Sequence, residues 1–101
     1  MAEVKWTDHA LDNLNEITEY ISKDSVRYAE ITALKLFLAP VILERHPSVG
    51  RIVPEFKMKT IRQLIEGNYR IIYRIVTADE IHIIAIHHVK RKLSSRIIRR
   101  K

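Results

Sequence analysis

The sequence predicts an α+β domain in the order β-α-α-β-β-β, with a helical hairpin packed on one face of an antiparallel sheet. Three observations predict it. Apolar residues recur at helical spacing in two stretches of the first 45 residues. Residues 60–88 then hold three β-rich runs parted by the turn signals EGN and ADE. Only KDS separates the two helical stretches, which makes them antiparallel neighbours.

Each element has its own signal. AEVKW alternates and reads as a short first strand. Thr7 is placed to cap the helix that follows, with Asp8 and Asp12 favourable in its early turns. Ala10, Leu11, Leu14, Ile17 and Ile21 form its apolar stripe, and Asp12, Asn15, Glu16 and Glu19 its solvated acidic face. Asp24 or Ser25 caps the second helix, expected from Val26 to Arg45. That helix is apolar around much of its circumference, through Val26, Ala29, Ile31, Leu34, Phe37 and Leu38, so it needs cover on two sides. Pro40 should kink or split it, because proline removes one helical hydrogen bond. HPSVGRIVPEF, with Pro47, Gly50 and Pro54, reads as a loop. TIRQLI, YRIIYRIVT and IHIIAIHH complete an antiparallel meander, leaving the sheet face away from the helices free.

Composition narrows the function. With 101 residues and an apolar fraction of 47%, the chain can bury one core, and a single domain over residues 1–101 is expected. There is no cysteine, which excludes thiolate catalysis, a disulfide framework and the usual zinc sites. Two glycines cannot build a phosphate-cradling loop, and no hydrolase elbow or HExxH pair occurs, so no cofactor and no metal are expected. MAEVKW lacks the apolar core of a secretion signal and no run long enough to cross a membrane follows. A cytoplasmic location and no membrane partner are therefore expected.

Charge placement says more than the net +6. Residues 1–33 hold seven acids and three bases; residues 34–101 hold five acids and fifteen bases, a net of +10. That asymmetry points to a polyanionic or acidic partner for the second half. The basic tail, about residues 93–101, carries Leu93, Ile97 and Ile98 at helical spacing and fits a short amphipathic helix.

Parity along the strands nominates a site. In YRIIYRIVT, Ile71, Tyr73 and Ile75 form the better core side, so Arg70 and Arg74 are expected to project from the open face. By the same alternation His82 and His88 share one side of the last strand, and Ala85 and His87 the other. Adjacent histidines on a strand point to opposite faces and cannot chelate together. Arg62, Arg70, Arg74, His87, His88, Lys90, Arg91 and Lys92 are then expected to converge on adjacent strands and their C-terminal exit. Arginine suits phosphate because its planar fork donates paired hydrogen bonds and stays charged. Histidine exchanges a proton near neutral pH. The same arginines equally fit a solvated sheet surface paired with Glu66, Asp79 or Glu80.

Taken in order, LDNLNEITEYISKDS, the apolar second helix and HPSVGRIVPEF…IRQLIEGNYRIIYRI…IHIIAIHHVKR resemble the ParE/RelE superfamily of toxins from type II toxin–antitoxin modules, over about residues 4–93. The ParE, or plasmid-stabilisation, branch is the most similar. The resemblance implies a RelE-like fold, a growth-arresting activity and a cognate antitoxin that wraps and neutralises the toxin, alone or within a hetero-oligomer; the apolar second helix also suits a homodimer. ParE-like members poison DNA gyrase, whereas RelE-like members cut messenger RNA on the ribosome. For a ribonuclease of the YoeB type, the resemblance places the catalytic groups at Glu55, Arg70 and His88. Target or phosphate binding falls to Arg62, Arg74, Lys90, Arg91, Lys92 and Arg96. The tail lacks the tyrosine of other RelE-type members, and the set R-x-L, Y-R-I-x-Y and H-x-x-R matches the branch that generally lacks ribonuclease activity. A non-enzymatic gyrase inhibitor is the leading expectation, an endoribonuclease or a degenerate binding module the alternatives.

Overall fold

A computed structural model describes residues 1–94 and 96–99, the side chain of residue 99 excepted; positions 95, 100 and 101 of the expected tail lie outside the described residues. Strand β1 (Glu3–Trp6) leads into helix α1 (Asp8–Ser22). Thr7 is extended and its side-chain oxygen accepts from the Ala10 amide at 3.2 Å, satisfying one of the four free amides of the first turn. The same hydroxyl donates to the Ile83 carbonyl at 2.8 Å and so fixes the helix start against the sheet. Ser25, rather than Asp24, caps α2 (Val26–Leu38), accepting from the Tyr28 amide at 3.1 Å. Pro40 splits the expected long helix: α2 stops at Leu38 and a 3-10 turn runs over Ala39–Glu44. A proline in the first turn of that segment needs no amide donor, so the chain restarts there without losing a bond.

The sheet is five-stranded in the order β1-β5-β4-β3-β2, built from β2 (Arg51–Ile52), β3 (Ile61–Glu66), β4 (Tyr69–Thr77) and β5 (Glu80–His88). β1 lies parallel to β5 and all other pairs are antiparallel. The two-residue β2 falls inside the expected loop. Gly67, at φ 58°, takes the left-handed conformation that the tight β3–β4 turn requires. Helices α1 and α2 cover one face, closing a core of Ala10, Leu36, Ile71, Tyr73, Ile81 and Ile83.

The opposite face is not free, and this corrects the sequence reading. Val53, Ile61, Ile72, Ile84 and Ala85 form a second core there, covered by the 53–60 segment and by Leu93 and Ile97 of the chain's end. Ile97 lies on the one-turn helix α3 (Arg96–Arg99). Two apolar faces explain why β4 and β5 read as nearly continuous isoleucine runs.

A register shift in β5 overturns a second expectation. Ile72 pairs with Ala85 but Tyr73 pairs with Ile83, so Ile84 is an extra residue and strand parity inverts there. His82 therefore faces the second core with Arg74, whereas His88 sits with Tyr69 on the helical face. His82 and His88 do not share a side.

Candidate functional site

Arg70 is the one charged side chain among the described residues that is fully buried, at 6% exposure. It does not project from an open face. β4 points it into the second core's margin, where its two terminal nitrogens donate to the two carboxylate oxygens of Glu55 at 2.7 and 2.8 Å. Its Nε donates to Gln63 Oε1 at 2.8 Å, and a further donor reaches the Arg91 carbonyl at 3.4 Å. This fork-to-carboxylate geometry is the strong form of an ion pair. Glu55 also accepts from the Leu93 amide at 3.2 Å, so one carboxylate ties together a loop, a central strand and the C-terminal segment. The Arg70 guanidinium holds the Glu55 carboxyl down at about 2, against the opposing effect of burial and with help from the Leu93 amide.

Arg62 and Arg74 are internal tethers as well. Arg62 donates to the carbonyls of Lys59 (3.0 Å), Ser48 (3.3 Å) and Gly50 (2.9 Å), fastening the segment that precedes β2. Arg74 donates to the Ile98 carbonyl and so anchors α3 to the sheet. Lys90, Arg91, Lys92 and Arg96 are exposed where the chain leaves β5. The expected convergence holds only in part: His87, His88 and Arg91 line one cleft, with Lys92 and Arg96 beside Arg91, whereas Arg62, Arg70 and Arg74 are not among its lining residues. Arg62 pairs with Tyr73 and His88 with Tyr69 on the helical face, while Arg70 pairs with Ile65 and His87 on the other.

His87, not His88, thus shares a face with Arg70 and Glu55. It is half-buried, and its Nδ1 has no hydrogen-bond partner among the described residues. Burial first, then electrostatic interaction with Arg91, His9 and Arg70, push its pKa below the ordinary imidazole value, so the ring is neutral at pH 7. His88 is exposed, meets Tyr69 edge-on at 5.7 Å, and accepts from the Lys90 amide at 3.2 Å. Sequence parity pointed to neither assignment because the inserted Ile84 is silent in the sequence. Gln63, which completes the Arg70 cradle, carried no motif that would have singled it out.

Beyond β1 the last residues of β5 have an open edge. Asn13 of α1 caps it, its Oδ1 accepting from the Ile86 amide at 3.0 Å. A cleft follows between α1 and the exposed basic segment, with Glu16 and Arg91 on facing walls. On α2 one side is apolar and exposed: Val26, Ile31, Leu34 and Leu38, continued by Val41, with Phe37 half-exposed and stacked on Trp6 of β1 at 5.4 Å. A patch of that extent marks an interaction surface. Among the described residues no group of three or more potential ligands could hold a metal ion, and no helix is long and apolar enough to cross a membrane.

Residues 4–93 match the family described as the ParE toxin of type II toxin–antitoxin system, parDE. Toxin RelE2 of Caulobacter vibrioides is 34% identical over 91 residues, spanning 90% of this chain and 99% of that protein. A solved structure described as the chromosomal ParDE TA system from P. aeruginosa aligns with a TM-score of 0.71 at 23% identity, covering 87% of this chain and 96% of that one. That likeness concerns the fold: the same mostly antiparallel sheet under a helical hairpin. With the family match running through both cores and the Arg70–Glu55 pair, this chain belongs to the ParE toxins of the ParE/RelE superfamily, the toxin half of a type II toxin–antitoxin module.

Proposed function

We propose that the protein arrests growth by binding DNA gyrase through its basic C-terminal third, without cutting RNA, and that a cognate antitoxin silences it. The observation that carries this reading is the state of Arg70 and Glu55. A ribonuclease needs a base with a pKa near the working pH and a cation free to meet the developing phosphorane charge. Glu55 at about 2 is far too weak a base, and Arg70 already spends its fork on Glu55 beneath the C-terminal segment. The exposed cations Lys90, Arg91, Lys92 and Arg96 remain for target contact. The apolar α2 face suits an amphipathic antitoxin segment, and acidic charge on that segment would be steered by the +10 half.

One observation favours a second reading, a ribosome-dependent endoribonuclease. His87, neutral at pH 7, lies on the Arg70 face and can in principle accept a proton. Purified protein added to a gyrase supercoiling assay and to a translation extract separates the two. The inhibitor reading expects blocked supercoiling beside intact mRNA. Ribosome-linked cuts that vanish in His87→Ala, with supercoiling unaffected, overturn it.

A further inference from the structure

The cleft between α1 and the C-terminal segment has two lobes of different chemistry, about 400 and 300 Å³, that share Asn13, Glu16, His87 and Arg91 as their common wall. One lobe is aromatic, with apolar and polar surface in about equal share. Tyr20 and Ile17 come from α1, Tyr69 and Ile86 from the sheet, and His88 stands edge-on to Tyr69. Tyr20 and Tyr69 both line this lobe, so two rings border the same space. The second lobe is basic, with Lys92 and Arg96 exposed beside Arg91. A volume of several hundred Å³ that joins aromatic rings to placed polar groups suits a small polar molecule.

We infer that this cleft binds a purine nucleoside triphosphate, with the base between Tyr20 and Tyr69, the ribose at Glu16 and Asn13, and the phosphates on Arg91, Lys92 and Arg96. The order of chemistry along the cleft carries the assignment. A flat π-face needs aromatic walls, and ring stacking supplies them. Ribose hydroxyls are donors and need an acceptor, which Glu16 provides at the junction of the lobes. A polyphosphate needs arginine forks and lysine charge: Arg91 stands where the lobes meet, and Lys92 and Arg96 line the basic lobe alone. Glu16 at the junction also disfavours sliding the phosphates toward the aromatic lobe. The inference does not depend on which target the toxin has.

Equilibrium dialysis and calorimetry on the purified chain test it with ATP, adenosine and inorganic tripolyphosphate as separate probes. ATP is expected to bind with a submillimolar Kd, more tightly than either fragment. Tyr20 is 72% exposed, so Tyr20→Ala leaves the fold intact. It should weaken ATP about fivefold to a hundredfold, the range for loss of one stacked base, and leave tripolyphosphate unchanged. Lys92→Glu, also at an exposed position, should weaken ATP and tripolyphosphate together and spare adenosine. Tripolyphosphate binding as tightly as ATP would reduce the cleft to a basic patch and overturn the inference. So would ATP affinity unmoved by both variants, no ATP binding at millimolar concentration, or a cleft that takes an RNA oligomer but not ATP.

Discussion

Glu55→Gln removes the carboxylate charge while keeping side-chain size, and it tests whether the pair of buried Arg70 with partly exposed Glu55 stabilises the fold. Lowering a carboxyl from its ordinary 4.5 to about 2 corresponds to about 3 kcal/mol in favour of the folded, ionised form. Water reaches 25% of the Glu55 side chain but only 8% of Arg70, so about 2–3 kcal/mol is the better expectation at pH 7. The remaining amide oxygen can still accept one guanidinium hydrogen bond, which keeps the loss from being larger. A domain of ordinary stability survives that loss, so the variant can be measured. Because the folded carboxyl titrates below its unfolded value, the stabilisation is fully present above about pH 5 and is lost as pH falls toward about 2. Urea unfolding of both proteins at pH 7 and at pH 2.5 reads it directly. The difference should shrink to below about 1 kcal/mol at the lower pH, and hydrogen exchange at the Leu93 amide should speed up in the variant. Equal stability at pH 7, or a difference that persists unchanged at pH 2.5, refutes the reasoning.

Other perturbations follow from the same packing. A Cβ at Gly50 would sit 2.6 Å from the Gln63 carbonyl oxygen and 2.6 Å from the Tyr73 hydroxyl, so Gly50→Ala should cost about 2 kcal/mol or more in denaturant unfolding. Leu93→Ala with Ile97→Ala removes the lid of the second core and should cost about 2–4 kcal/mol, with faster proteolysis of the chain after Lys92. Leu34 is exposed on α2, so Leu34→Lys should leave the melting temperature nearly unchanged yet weaken antitoxin binding at least about tenfold by calorimetry.

Local signals carried the helical layer and the order of elements. Thr7 and Ser25 cap where a hydroxyl before an apolar repeat predicts, and Pro40 ends α2 for the reason any interior proline does. The second core was not legible locally, since its lid is formed by residues far along the chain from Val53, Ile61 and Ile72. A signal did exist: isoleucines on both sides of β4 and β5, paired with the apolar spacing of Leu93, Ile97 and Ile98, imply two covered faces. Taking one face as open turned Arg70 outward by parity, whereas its partner Glu55 lay in a segment read only as loop. The extra Ile84 has no sequence mark at all, and it alone separates His82 from His88. Family likeness supplied the residue set Glu55, Arg70 and His88, but strand register, which only the folded sheet displays, puts His87 opposite Arg70 instead.

The most direct test replaces the pair as a unit. Arg70→Met with Glu55→Leu keeps apolar volume, removes both charges and leaves no buried ion unpaired. If Arg70 and Glu55 hold the fold rather than perform chemistry, the folded double variant still arrests growth and still blocks gyrase supercoiling. A double variant with native circular dichroism that has lost all toxicity contradicts the account.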